Sequence, residues 1–223
     1  MMPQQNTALS HMLTGQLMTG DVNDEVLLDA LSSVPRELFV PEIFRGSAYI
    51  DNEISLGDGR FLLQPLVFAR MLKYANVTKE ETVLDVGTGT GYGAAVLSRL
   101  AHKVVTLEED AKLAARAKTC LSSYGNVELV QSGLVGGVSL RAPYDLILIE
   151  GAIKTLPQAL SDQLREGGRL LTVENVEAAK TSETGLGKLV EYKKIRGSLY
   201  KTVLHDASAS LLPGFKKPAS FKF

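Results

Sequence analysis

The chain has 223 residues, 45% hydrophobic and 22% charged, with a net charge of −1 at pH 7. That length buries a full core, most simply as one domain with an N-terminal extension, and the charge excludes a bulk electrostatic drive toward nucleic acid or an acidic membrane. One cysteine, Cys120, excludes an internal disulfide and suits a reducing, cytoplasmic setting.

The first basic residue is Arg36, so no charged leader is expected, and no apolar run is long enough to span a bilayer. From Lys188 onward eight Lys/Arg stand against Glu191 and Asp206, which reads as a solvated strand face. Residues 1–22 are sparse in signals, with a turn expected within 14–24. Asp24–Val34 has helical spacing and stops at Pro35. An extended or looping region follows from Phe39, and Pro65 opens a helix over Leu66–Tyr74. Next comes a regular alternation: strand Thr82–Val86, helix Tyr92–Leu100, strand Lys103–Leu107. Helix Asp110–Tyr124 follows, with Asp110 as N-cap, Gly125 past its end, and Cys120 expected as a core thiol. Strands Val127–Gln131 and Asp145–Ile149, helix Leu156–Leu164 and strand Arg169–Val173 complete it. This predicts an α/β, doubly wound, mostly parallel seven-stranded sheet. Lys188–Ile195 and Ser198–His205 around Arg196-Gly197 predict a closing antiparallel hairpin.

The most informative stretch is Val83-Leu-Asp-Val-Gly-Thr-Gly-Thr-Gly-Tyr-Gly93. A buried strand runs into glycines at 87, 89 and 91, where the absence of Cβ allows sharp turns and close approach. The loop ends at a helix N-terminus, which favours an anionic group. This unit suits a nucleotide-type cofactor. The dinucleotide pattern G-x-G-x-x-G/A is met only loosely by Gly89–Ala94. S-adenosyl-L-methionine is favoured by four features as a set: Asp85 two residues before the loop, Glu108 ending the next strand, Tyr144-Asp145 opening an apolar strand, and the Arg165–Leu171 turn. Glu108 alone fits the ribose of either cofactor. Asp85 suits the cofactor's ammonium or the organisation of the loop. No Walker loop, G-x-S-x-G elbow or cysteine–histidine signature is present, and His11, His102 and His205 lack metal-ligand spacing.

Val34-Pro-Arg-Glu-Leu-Phe-Val-Pro41, Ala48-Tyr49, Gly59 through Ala69, Val83–Leu97 and Pro157–Leu170 together resemble the protein-L-isoaspartate O-methyltransferase family, a Rossmann-like class I methyltransferase fold. The resemblance covers most of the chain and is closest to a divergent bacterial branch. It implies S-adenosylmethionine-dependent methyl transfer to a carboxylate in protein repair. The implied cofactor residues are Asp85, Gly87, Thr88, Gly89, Gly91, Tyr92, Glu108 and Gly133. Two departures stand out. Phe61-Leu62-Leu63 replaces the family's Thr-Ile-Ser, so Leu63 stands where the family serine would help hold the acceptor carboxylate. Ser55 or backbone N–H groups of 57–59 are the available substitutes. Ser132-Gly133-Leu134 replaces the family's G-D-G, which removes an adenine contact.

Glu150 is expected near the sulfonium methyl, as a stabiliser or base, or else as a loop cap or partner of Lys154. The closing Leu211–Phe215 and Phe221–Phe223 differ from the usual family ending and are read as packing. The expected division is 1–76, an N-terminal helical extension with the substrate loop, and 77–223, the S-adenosylmethionine-binding domain, forming one compact unit. A protein or peptide substrate is expected, with a small-molecule acceptor as the other option, no nucleic acid or membrane partner, and a monomer or homodimer. The competing reading is a family member that has lost turnover and acts by binding alone.

Overall fold

A computed structural model describes residues 7–175 and 184–215. The described residues open with α1 (Thr7–His11), which continues as a π-helical segment over Met12–Met18. This helical stretch is missed by periodicity because it carries almost no charge to mark an outer face. Helix α2 (Glu25–Ser32) begins at Asp24, whose side chain accepts from the Leu27 amide. Two 3₁₀ turns lead to a small separate hairpin of β1 (Ile54–Gly57) and β2 (Arg60–Leu62). Its tip, Gly57-Asp58-Gly59, has positive φ throughout. Helix α3 (Pro65–Ala75) follows and ends at Asn76, which takes the left-handed conformation.

The main sheet then forms from β3 (Thr82–Val86), β4 (Lys103–Glu108), β5 (Val127–Gln131), β6 (Tyr144–Ile153), β7 (Leu164–Asn175), β8 (Thr184–Ile195) and β9 (Ser198–Ser210). Its order is β5-β4-β3-β6-β7-β8-β9, with β3 to β7 parallel and β8 and β9 antiparallel to their neighbours. The expected seven-stranded doubly wound sheet is therefore present. The hairpin is longer than expected at its open end, where Gly185, Gly187 and the Ala/Ser run 207–210 hide the alternation. Arg196 and Gly197 both take positive φ, as a primed two-residue turn requires.

Helices α4 (Tyr92–Leu100), α5 (Ala111–Cys120) and α6 (Gln158–Asp162) connect the parallel strands. Helix α5 has Asp110 as N-cap but stops at Cys120, because a turn from Leu121 to Tyr124 follows; Gly125 is not its stop signal. Cys120 is half-buried, with its Sγ 3.8 Å from the Leu38 carbonyl. Helix α6 is also shorter than the expected Leu156–Leu164 and begins after Pro157.

Side chains of the strands divide into two cores. Val83, Val104, Leu146 and Leu148 join α2, α3, α4 and the N-terminal segment in the larger one. Leu84, Val86, Val105, Leu107, Ile147 and Ile149 form the smaller one with Leu160 and Leu212. Burying each such side chain stabilises by roughly 1.5–3 kcal/mol. Because side chains alternate along a strand, Asp85, Glu108 and Glu150 all fall on the α4 side of the sheet, at adjacent strand ends. Strand β3 has β4 on one side and β6 on the other, so this is where the strand order reverses. No helix among the described residues is long and apolar enough to cross a membrane.

Candidate functional site

Strand β3 passes directly into the glycine turn. Gly87, Gly89 and Gly91 have φ of 80°, 60° and 97°, values open to glycine at little cost. The turn is tied down by Gly87 N–H donating to Leu107 O at 2.9 Å and by Gly91 N–H donating to Thr88 O at 2.9 Å. Helix α4 then starts at Tyr92. The expected strand, turn and helix are all in place.

The contents of the turn differ from the expected open cradle. A Cβ on Gly89 would lie 2.7 Å from Leu56 Cδ1, and one on Gly91 2.8 Å from Leu121 Cδ1. One on Gly87 would sit 3.3 Å from Leu212 Cδ1, and one on Gly151 2.5 Å from Leu212 Cγ. The close approach that these glycines permit is made by the chain's own leucines.

Glu108 ends β4 and is fully buried. Arg60, from the β1–β2 hairpin, grips it with both terminal nitrogens: Nη1 donates to Oε1, and Nη2 donates to Oε2 at 2.8 Å and to Gly87 O at 2.9 Å. The amides of Gly89, Glu109 and Asp110 also donate to this carboxylate, at 2.7, 2.9 and 3.0 Å. Arg60 is 3% exposed. Sequence reading missed it, because nothing local distinguishes it from any loop arginine.

Asp85 stands opposite Thr106 in register, and its Oδ2 accepts from Thr106 Oγ1 at 2.7 Å. Thr88 and Glu150 also hydrogen-bond to the Asp85 carboxyl, so these three buried groups pair with one another. Burial pushes the Asp85 carboxyl above its usual range. Glu150, on β6, is buried against Gly93 of α4: a Cβ there would be 1.7 Å from Glu150 Oε1. Burial, and then the neighbouring Asp85 charge, hold Glu150 well above the ordinary carboxylate range. It does not meet Lys154, which is exposed. A carboxyl raised in this way favours the folded state most below its unfolded pKa of about 4.3, and that contribution is lost as pH rises through the folded value. Glu150→Gln is neutral throughout. Its melting temperature is expected to gain on that of wild type as pH rises above the unfolded value of about 4.3. Parallel Tm–pH curves would contradict the assignment.

The remaining expected residues lie further off. Tyr92 is buried among Phe39 and Phe68, beneath the Arg36 guanidinium, so its ring belongs to the core. Leu63 is also a core residue, and its carbonyl accepts from Arg36. Gly133 is exposed, at the start of a short 3₁₀ turn. Thus Asp85, Thr88, Glu108 and Glu150 gather at the glycine turn, whereas Leu63, Tyr92 and Gly133 add no side chain to it. Ser55 and Gly57 lie on β1, and Leu62, Leu63 and Glu150 are all buried. An open cleft of about 520 Å³ runs between α5 and β5, lined by Ala114, Lys118 and Leu129, but does not include these acids. No cluster of His, Cys, Asp or Glu suited to a metal occurs among the described residues. Phe215 packs on the smaller core, while Phe221–Phe223 lie outside the described residues.

Comparison with known proteins bears on this geometry. A family model described as protein-L-isoaspartate(D-aspartate) O-methyltransferase matches residues 6–200. A protein-L-isoaspartate O-methyltransferase from Koribacter versatilis is 36% identical over 199 residues, covering 88% of this chain and 86% of its own. One from a Synechococcus species is 43% identical over 162 residues, covering 72% and 66%. Among solved structures, a Plasmodium falciparum protein described as a beta-aspartate methyltransferase, in complex with S-adenosyl-L-homocysteine, superposes with a TM-score of 0.78 at 21% identity. That match covers 94% of this chain and 100% of the other.

Proposed function

Since the chain belongs to the protein-L-isoaspartate(D-aspartate) O-methyltransferase family, we propose that it is an S-adenosylmethionine-dependent methyltransferase acting on a carboxylate of a protein or peptide. The carrying observation is the positive-φ glycine turn at the reversal point of the sheet, with Asp85 and Glu108 ending the adjacent strands beside it. The buried Asp85, Thr88 and Glu150 side chains gather polar groups at the same place. A carboxylate nucleophile requires no general base at neutral pH, so alignment and charge placement carry the catalytic burden.

In the closed arrangement the residues present do not fit the cofactor. Glu108 already accepts from Arg60 and three amides, and Leu56 and Leu212 fill the space over the glycines. A second reading, a family member that no longer turns over, is favoured by the same ion pair and by Leu63 in the core. Calorimetry with S-adenosylhomocysteine, together with radiolabelled methyl transfer to an isoaspartyl peptide, separates the two. Binding with transfer is expected; binding without transfer to that peptide or to a cell lysate supports the second. Glu108→Gln is expected to weaken binding by about 10- to 150-fold, the worth of a charged hydrogen bond of roughly 1.5–3 kcal/mol. Unchanged affinity would contradict the ribose role of Glu108.

A further inference from the structure

We infer that Arg60 and the segment Leu211–Phe215 form an internal plug in the cofactor site, which the cofactor displaces when it binds. The inference rests on the methyltransferase reading and adds a gate to it. The guanidinium of Arg60 offers Glu108 two parallel donors, the same pattern as two vicinal hydroxyls of a ribose. Leu212 lies against Gly87 and Gly151 and fills the space beside the turn. The two parts also lie side by side: a Cβ added to Gly59, at the tip of the hairpin carrying Arg60, would lie 3.8 Å from Pro213 Cγ.

Neither part belongs to a strand of the main sheet, although Arg60 is paired to Glu108 and Leu212 packs on the smaller core. Arg60 rides on the separate two-stranded hairpin. The 211–215 segment lies beyond residue 200, where the family match stops. It is held by the Leu212 amide on Ala152 O at 3.0 Å and by the isolated bridge between Leu211 and Ala152. Phe215 N–H bonds only back to Leu212 O within this segment.

The closed site is also incompletely satisfied. Asp85, Thr88 and Glu150 are buried together and hydrogen-bond among themselves, while Arg60 Nε is buried without a partner. Native interiors rarely leave such a buried donor unpaired, and a polar ligand would take up that capacity. The plug lowers apparent affinity in proportion to the fraction of molecules that are closed.

The test is S-adenosylhomocysteine binding by calorimetry to the full chain and to Arg60→Gln and Leu212→Ala, with amide hydrogen exchange on the wild type. Each variant is expected to bind at least about tenfold more tightly than wild type. Ligand is expected to speed exchange at Leu212 and Phe215 while slowing it across the glycine turn. Circular dichroism melts confirm that each variant is folded; if one is not, the other and the wild-type exchange still decide. Equal affinities, or a Leu212 amide that keeps or gains protection on binding, would overturn the plug and leave the methyltransferase reading standing. Absence of binding in all three proteins would overturn both.

Discussion

Replacing Arg60 by Ala is expected to destabilise the ligand-free protein by about 3–5 kcal/mol, because it leaves Glu108 charged, buried and without its counterion. The side chains of the pair are 4% and 0% exposed, so solvent screens them little. Three backbone amides still donate to the carboxylate, which puts the expected loss at the lower end of that range. For a chain of this size the melting temperature should fall by on the order of 10 °C. The double variant Arg60→Met, Glu108→Leu removes both charges and should recover much of the loss, since isolating one buried charge costs more than removing the pair. Urea denaturation of the wild type, Arg60→Met, Glu108→Leu and the double variant closes the cycle. A loss below about 1 kcal/mol in Arg60→Ala would mean that Glu108 is solvated and the site open.

This pair also shows where the sequence stopped being informative. Local chemistry was legible. Strand β3, helix α4 and strand β5 occupy the expected residues, Asp110 caps α5, and Arg196-Gly197 makes the expected turn. In each case a short pattern sets the outcome through backbone preference or side-chain period. Arg60 meets Glu108 only because a hairpin 48 positions away folds over the end of β4. No spacing along the chain encodes that encounter.

The glycines show a subtler gap. Their positive φ was predictable from the turn they make, but the identity of what approaches them was not. A missing Cβ makes room equally for a ligand and for Leu56 or Leu212. Leu63 is a related case. In the sequence it is a serine lost from the acceptor site; in the fold it is one of the buried side chains under α3 and the N-terminal segment. A substitution that removes a polar group and a substitution that completes a core look the same until the packing is known.

Arg36 carries the second large expected effect. It is fully buried, and its guanidinium spans two segments: Nε donates to Ala48 O at 2.8 Å and Nη2 donates to Leu63 O. It also lies 4.8 Å above the Tyr92 ring, at the start of the helix that follows the glycine turn. Burial pulls its pKa down from the usual arginine value, while Tyr92 and Glu150 oppose that fall. One side chain therefore fixes the Val34–Pro41 segment, the loop before β1 and the loop before α3 around α4.

Two nearby hydrogen bonds reinforce this anchoring, Thr90 Oγ1 donating to Phe39 O and Arg116 donating to Val40 O at 2.9 Å. Arg36→Lys keeps the charge but replaces a planar fork with a point donor that cannot reach both carbonyls in the same geometry or stack on the ring. The expected loss is about 2–4 kcal/mol, from one charged hydrogen bond and the cation–π contact. Arg36→Met fills similar volume but leaves both carbonyls unpaired, with an expected loss of about 3–5 kcal/mol. Chemical denaturation should therefore place lysine nearer to methionine than to arginine. A lysine variant within about 0.5 kcal/mol of wild type would show that the charge alone, and not the shape of the guanidinium, holds these three segments together.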